Sequence, residues 1–358
     1  MKQLAKPYLQ GLPENGLADD VMYIDPDGEE IRLDFNENAL GTSPLAAKAM
    51  AEEAGKAYRY PDAYGYTLRA KLAEKYGLKP SNVTIENGAS AVIKLVGDTF
   101  ICPGDETIFC VPTFGAYAST TEQNGGAAVK LPLLENGFFD LEGILQAVTE
   151  KTKIIFLCNP NNPSGCAYTH EEIEAFLKRV PEEILVVLDE AYIAFADDEA
   201  YRSGADLIPE YENLIILQTF SKLYGMAGAR IGYALSSEAV QKELMKAENV
   251  FSINRIGMAG ALAALDDEEY RKKSIANVAE GRAYYAKELG EIGWEVFPSK
   301  ANFVYIKTGM NNGVLAQKLE ERKIYVAGYF PHLRITIGTP EQNEKVVAAL
   351  KAIVNEMQ

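Results

Sequence analysis

The sequence predicts an α/β protein with a mostly parallel sheet between helices over residues 41–250. A smaller α+β unit follows over 251–358, and an arm precedes them over 1–40. Short runs of consecutive apolar residues recur between 41 and 250, as strands buried on both faces require. Amphipathic stretches separate these runs, and strand–helix–strand spacing produces right-handed crossovers and parallel pairing. After about residue 250 the pattern changes to a long polar helical stretch and then short strands of period-2 character.

Residues 1–40 are polar, with Pro, Gly and Asp scattered through them, and read as an arm that packs on another element. In the large unit one strand ends at Glu86, in "IENGAS". The apolar runs "TIFCV" (107–111), "KIIFLC" (153–158), "ILVVLDE" (184–190), "NLIILQTF" (213–220) and "IGYAL" (231–235) come next. Between the second and third of these lies "YTHEEIEAFLKRV". Thr169 and Glu172 form a capping box there, and Ile173, Phe176 and Leu177 make one apolar face. His170 is thereby placed in a solvated first turn with a structural role. The helical stretch 267–290 leads to strands in "WEVFPS", "ANFVYIK", "KIYVAGY" and "LRITIG". Thr339, Pro340 and Gln342 begin a last helix, with Val346, Val347, Leu350, Ile353, Val354 and Met357 as its apolar stripe.

Composition narrows the chemistry. A net charge of −16 repels a phosphate backbone, so nucleic acid is not expected as a partner. Cys102, Cys110, Cys158 and Cys166 contain no CxxC, and His170 and His332 are the only histidines. A zinc site, a disulfide framework and a histidine-dependent nucleophile all lack their parts; buried inert thiols are expected. The start "MKQLAKPYLQG" has no apolar core of a signal peptide, and no apolar run reaches about 18 residues. A soluble cytoplasmic protein, without membrane contact, is expected. GxSxG and GxxxxGK[ST] are absent, as is a GxGxxG after a strand.

What remains is polar groups at the C-terminal ends of the proposed parallel strands, the edge where open α/β sheets bind ligands. Asn87, Gly88, Ala89 and Ser90 offer backbone N–H groups and a hydroxyl at a helix start, an anion site or a plain cap. Phe114 follows a strand in "CVPTFGAY", as a stacking ring or a core residue. "CNPNNPSG" is a rigid, amide-rich loop. Asp189 ends an apolar strand, and Tyr192 follows. That carboxylate awaits a cation, caps a helix or forms a structural ion pair. "TFSKLYGMAGAR" supplies Ser221, Lys222 and Arg230 after another strand. One ligand asks for all of these together. Its anion takes Ser90, Ser221, Arg230 and the Gly88 and Ala89 backbone. Its protonated ring nitrogen takes Asp189, its flat face Phe114, its phenolic oxygen Tyr192 and Asn162, and its aldehyde Lys222. Pyridoxal 5′-phosphate has each of these groups, with the lysine as the Schiff-base former.

At these residues the chain resembles the fold-type-I pyridoxal-phosphate aminotransferases, and among them the histidinol-phosphate aminotransferase family. "LDFNEN" (33–38), "YRYPD" (58–62), "NGAS" (87–90), "PTFGAY" (112–117), "CNPNNPSG" (158–165), "DEAY" (189–192), "TFSKLYGMAGARIGY" (219–233), "ANFVYI" (301–306) and "LRITIG" (333–338) carry the resemblance, in the family's order. It implies a seven-stranded large-domain sheet, a place in histidine biosynthesis and a homodimer with shared active sites. It implies a small amine or amino acid as donor, histidinol phosphate first, and a 2-oxo acid such as 2-oxoglutarate as acceptor. Lys222, Asp189 and Tyr192 would carry the catalysis. Tyr60 would reach a phosphate in the neighbouring subunit, Arg334 would clamp the substrate's anion, and Asn38 would lie near that anion. One position departs from the family. Ala327 stands where an arginine commonly helps bind the substrate phosphate, with Gly328 in place of a proline. Arg334 and Tyr8 remain to meet that phosphate, and Arg255 is either a substitute cation or a surface arginine. An aromatic amino acid donor, or decarboxylation on the same fold, are the alternative activities.

Overall fold

The computed structural model describes residues 5–12 and 30–357. Its strands are β1 (Ile31–Arg32), β2 (Val83–Glu86), β3 (Glu106–Val111), β4 (Ala127–Pro132), β5 (Thr152–Cys158), β6 (Leu185–Asp189), β7 (Leu214–Thr219), β8 (Gly232–Ser236), β9 (Glu295–Val296), β10 (Phe303–Lys307), β11 (Ile324–Tyr325) and β12 (Leu333–Thr336). Seven of them form one sheet in the order β2-β8-β7-β6-β5-β3-β4. The apolar runs lie in its middle, where Ile154, Ile155, Val186, Val187, Ile215 and Ile216 are fully buried. β4 is an edge strand with half-exposed side chains, so it shows no apolar run and sequence reading passed over it. β8 is antiparallel to both its neighbours. Only residues 220–231 separate it from β7, without an α-helix to make a crossover.

Helices Ala89–Phe100, Ala116–Gln123 and His170–Leu177 connect strands of this sheet. The Thr169–Glu172 capping box forms. His170, however, is buried rather than solvated: the turn Gly204–Leu207 covers the helix start, and His170 Nε2 lies 3.6 Å from Asp206 Oδ2. Cys110, Cys158 and Cys166 are buried, whereas Cys102 is exposed, and all four thiols are free.

The C-terminal unit holds the antiparallel sheet β12-β10-β9, the helix Glu268–Gly290 and the last helix, Pro340–Met357. Val346, Val347, Leu350 and Ile353 of the last helix are buried, while Met357 is exposed at its end. "KIYVAGY" does not join this sheet as a strand. Its β11 pairs in parallel with β1 of the arm, and Ala327 makes a single bridge to Arg334. The arm is thus tied to the C-terminal unit before it passes the edge of the large sheet. The helix Arg255–Ala264 packs on Pro44–Ala54, where Gly260 lies against Met50 and Met226. No described helix is long and apolar enough to cross a membrane.

Candidate active site

Parallel strands all end on one edge, and here those ends surround a cavity of about 680 Å³. Asp189 is the last residue of β6 and 3% exposed. Tyr117 Oη donates to its Oδ2 at 2.6 Å, and the Ala191 N–H donates to Oδ1 at 3.1 Å. Burial pushes this carboxyl up to about 6, and it forms no ion pair among the described residues. Lys222 lies in the loop from β7 to β8 and donates from Nζ to the Phe35 carbonyl at 2.9 Å. Burial first, then the Arg334 guanidinium, push this amine down to about 8; Glu37 opposes them and Arg230 adds to them. Tyr192 is buried and accepts at its Oη from Asn36 Nδ2 at 3.0 Å.

One flank of the cavity gathers groups that could hold an anion. Ala89 and Ser90 open the helix Ala89–Phe100, whose first turn has no side-chain cap. Ser221 Oγ accepts from Arg230 Nη1 at 3.4 Å, and Arg230 Nη2 reaches the Asn87 carbonyl at 3.5 Å. Gly88 makes this possible: its φ is +85°, and a Cβ there would overlap Arg230 Nη2. Gly88→Ala is therefore expected to displace the guanidinium and weaken cofactor binding by roughly ten- to a hundred-fold, the loss of one charge-assisted contact. A titration of apoprotein with pyridoxal phosphate, followed by absorbance, measures it.

The opposite flank carries Arg334 from β12, 4% exposed. Its Nη1 donates to Asn162 Oδ1 at 2.6 Å, Nη2 donates to the Asp34 carbonyl, and Nε has no partner among the described residues. Phe330 lies beside the guanidinium, 5.1 Å from ring centroid to Cζ. Phe114 lines the cavity between the flanks, edge-on to Tyr117.

The donor set fits pyridoxal 5′-phosphate group by group. A buried acid without a cation faces the cavity, an amine of lowered pKa stands near it, and an uncapped helix start meets a guanidinium and hydroxyls.

Sequence reading placed Gly88, Ala89, Ser90, Phe114, Asn162, Asp189, Tyr192, Ser221, Lys222, Arg230 and Arg334 about this edge, and the structure brings them together there. Two expectations come out differently. Asn38 points behind the cavity, where its Nδ2 donates to the Lys222 and Leu223 carbonyls and to Ser274 Oγ, because the arm runs under the lysine loop. Tyr8 packs on Gly125, since its short turn lies against the helix Ala116–Gln123. Arg255 is held by Glu53 and the Tyr60 carbonyl, not by the cavity. Tyr60, expected to act in the neighbouring subunit, is 79% exposed, with its ring 4.9 Å from that of Phe251 and outside this chain's own cavity. Sequence reading missed Tyr117 and Asn36, although "PTFGAY" and "LDFNEN" contain them. It also missed the aromatic wall of Phe35, Tyr329 and Phe330.

A strand-edge cavity that sets a lysine near a buried aspartate, with an uncapped helix start and a guanidinium on one flank and an arginine on the other, suits a pyridoxal-phosphate enzyme that acts on an anionic amine. Residues 29–350 match the profile of the class I and II aminotransferases, and the chain belongs to that family. Within it, the chain is 38% identical over 355 residues to histidinol-phosphate aminotransferase 2 of Carboxydothermus hydrogenoformans, covering 98% of this chain and 97% of that protein. Histidinol-phosphate aminotransferase 2 of Pseudomonas aeruginosa is 37% identical, with 98% and 96% covered. The crystal structure of the Sinorhizobium meliloti histidinol-phosphate aminotransferase, in complex with pyridoxal-5′-phosphate, superposes with a TM-score of 0.87 at 29% identity, over 92% of each chain.

Proposed function

We propose that this aminotransferase moves the amino group of histidinol phosphate to a 2-oxo acid such as 2-oxoglutarate, acting as a cytoplasmic homodimer. Arg334 carries this reading: a buried guanidinium with a free Nε shares one cavity with Lys222. An anionic donor held there is brought beside the amine. Pyridoxal 5′-phosphate is the cofactor, and when bound its ring supplies the electron withdrawal that makes a donor's α-proton acidic.

The chain's residues do the rest. Asp189 holds a proton on the ring nitrogen, and the cation it meets there supplies the charge its buried carboxylate lacks. Ala89, Ser90, Ser221 and Arg230 hold the phosphate, with Gly88 giving them room. Phe114 covers the ring face, and Tyr192 and Asn162 meet the phenolic oxygen. Lys222 Nζ, at about 8, is basic enough to take the α-proton and weak enough to be free to do so near neutral pH. Residues 41–250 supply this set, and residues 251–358 bring Arg334. Tyr60 has Tyr58, Tyr64 and Phe251 as exposed aromatic neighbours, a surface suited to a second copy whose phosphate Tyr60 would reach.

Ala327 exchanges both backbone hydrogen bonds with Arg334, which places their side chains on one face of the ladder. A cation at 327 would stand beside Arg334. Without one, Arg334 meets the anion alone, and the wall of Phe35, Phe114, Tyr329 and Phe330 favours an aromatic donor as the second reading. A donor panel with 2-oxoglutarate decides between them. Turnover of histidinol phosphate is expected, with its KM raised about ten- to a hundred-fold in Arg334→Ala. Rapid turnover of phenylalanine or tyrosine with none of histidinol phosphate would replace the first donor by the second.

A further inference from the structure

Three successive residues of the arm each touch a different functional side chain. The Asp34 carbonyl accepts from Arg334, the Phe35 carbonyl from Lys222, and Asn36 donates to Tyr192. The third contact is made by a side chain, and its geometry constrains a proton.

Asn36 is 1% exposed and has φ +55°, a conformation that asparagine tolerates better than most residues. One orientation of its amide satisfies the buried Thr336 hydroxyl, whose proton has Asn36 Oδ1 as its acceptor among the described residues. The Thr336 hydroxyl accepts from the Asn36 backbone N–H at 3.0 Å and donates to Asn36 Oδ1 at 3.2 Å. The NH₂ end is left for Tyr192, 3.0 Å away. An amide nitrogen only donates, so in this orientation the Tyr192 oxygen accepts and its own proton points elsewhere. No acceptor among the described residues takes that proton. Asn302 Nδ2 bonds the Asn36 carbonyl at 3.0 Å and keeps the segment in place.

We propose that Asn36 is a positioning residue that fixes Tyr192 as a hydrogen-bond donor into the cofactor cavity. This rests on the reading above that Tyr192 meets the cofactor's phenolic oxygen. A hydrogen bond donated to an anionic oxygen favours the deprotonated form of the bound chromophore. Polarisation of the tyrosine by the amide strengthens that bond. The charged groups facing this corner are Lys222, Asp189, Glu37, Arg230 and Arg334.

The test is a pH titration of the visible absorbance of the holoenzyme. Asn36→Asp and Asn36→Gly both tolerate positive φ, which keeps the fold within reach. An ionised aspartate only accepts, so in Asn36→Asp the tyrosine proton turns toward residue 36 and away from the cofactor. The titration midpoint is expected to rise as far as it does in Tyr192→Phe. Asn36→Gly removes the polarising donor alone and is expected to raise the midpoint less. In the Tyr192→Phe background, Asn36→Gly is expected to add nothing, and Asn36→Asp only the smaller rise that its charge causes without the hydroxyl. An unchanged midpoint in Asn36→Asp, or a shift in Asn36→Gly that persists at full size without the tyrosine hydroxyl, overturns the proposal. If Tyr192→Phe itself leaves the midpoint in place, the cofactor contact of Tyr192 fails, and the role of Asn36 fails with it.

Discussion

Lys222→Ala is expected to lower transamination turnover by about 10⁴-fold or more, because in the proposed mechanism one nitrogen serves both as covalent anchor and as proton carrier. The anion cup and Asp189 remain, so the cofactor still binds, but its absorbance becomes that of an unlinked aldehyde. Single-turnover absorbance with a donor measures both effects, and a variant that keeps more than a tenth of the wild-type rate would sink the assignment. The lysine's environment adds a pH signature. An amine lowered from 10.5 to about 8 is about one-tenth neutral at pH 7, against about one part in three thousand for an exposed lysine. The neutral form is the one that attacks an aldehyde. The rate of covalent uptake of pyridoxal phosphate by apoprotein is therefore expected to rise with pH through about 8. Arg334 is the second cause of the shift, after burial, so Arg334→Ala should move that midpoint upward.

Asp189→Asn is expected to cut turnover by about 10²–10³-fold, the usual scale for removing one preorganised electrostatic partner of the transition state. The amide keeps the size of the side chain and an oxygen for Tyr117, but it no longer holds a proton on the ring nitrogen. Stability of the apoprotein should respond in a different way. The folded carboxyl titrates at about 6 against 3.8 for the ordinary group. The native state thus binds more protons than the unfolded chain between these values. Its contribution to stability is complete below the lower value and is lost as pH rises through the upper one. Wild-type apoprotein is expected to lose that contribution between about pH 4 and 6, and Asp189→Asn to lack this step in its melting profile. A variant with wild-type turnover would remove Asp189 from the mechanism. One with lost turnover and a collapsed melting transition would show only structural damage.

Much of the fold was legible because burial on two faces leaves a mark in one dimension. "ILVVLDE" and "NLIILQTF" carry four consecutive apolar residues each where the sheet buries them, Leu185–Leu188 and Leu214–Leu217, so β6 and β7 could be read directly. β4 could not, because an edge strand with half-exposed side chains has no such run. The antiparallel β8 was written in the shortness of segment 220–231, a connection length and not a composition. His170 was misplaced because the capping box announces a helix start but does not say what packs over it.

The site divided along a similar line. Lysine, aspartate and arginine at strand ends are costly to bury, so their presence in apolar surroundings pointed to a ligand. Asparagine and tyrosine carry no such penalty when paired, and they stand in many turns and cores. Asn36 and Tyr117 therefore left no signal of their own, and Asn38 was assigned to the wrong side of the lysine loop.

By itself the sequence determined the class: the buried strands and the helices between them, the polar residues at the strand ends and the cofactor they suit all follow from residue type and spacing. Tertiary structure alone decided which of those residues share a cavity, which way Asn36 faces, and that Ala327 stands beside Arg334. The physical reason is range. Periodicity and burial act over a few residues and are recorded locally, whereas Asn36 meets Tyr192 and Thr336, and Arg334 meets Asn162, only after the arm and the C-terminal unit close on the large sheet.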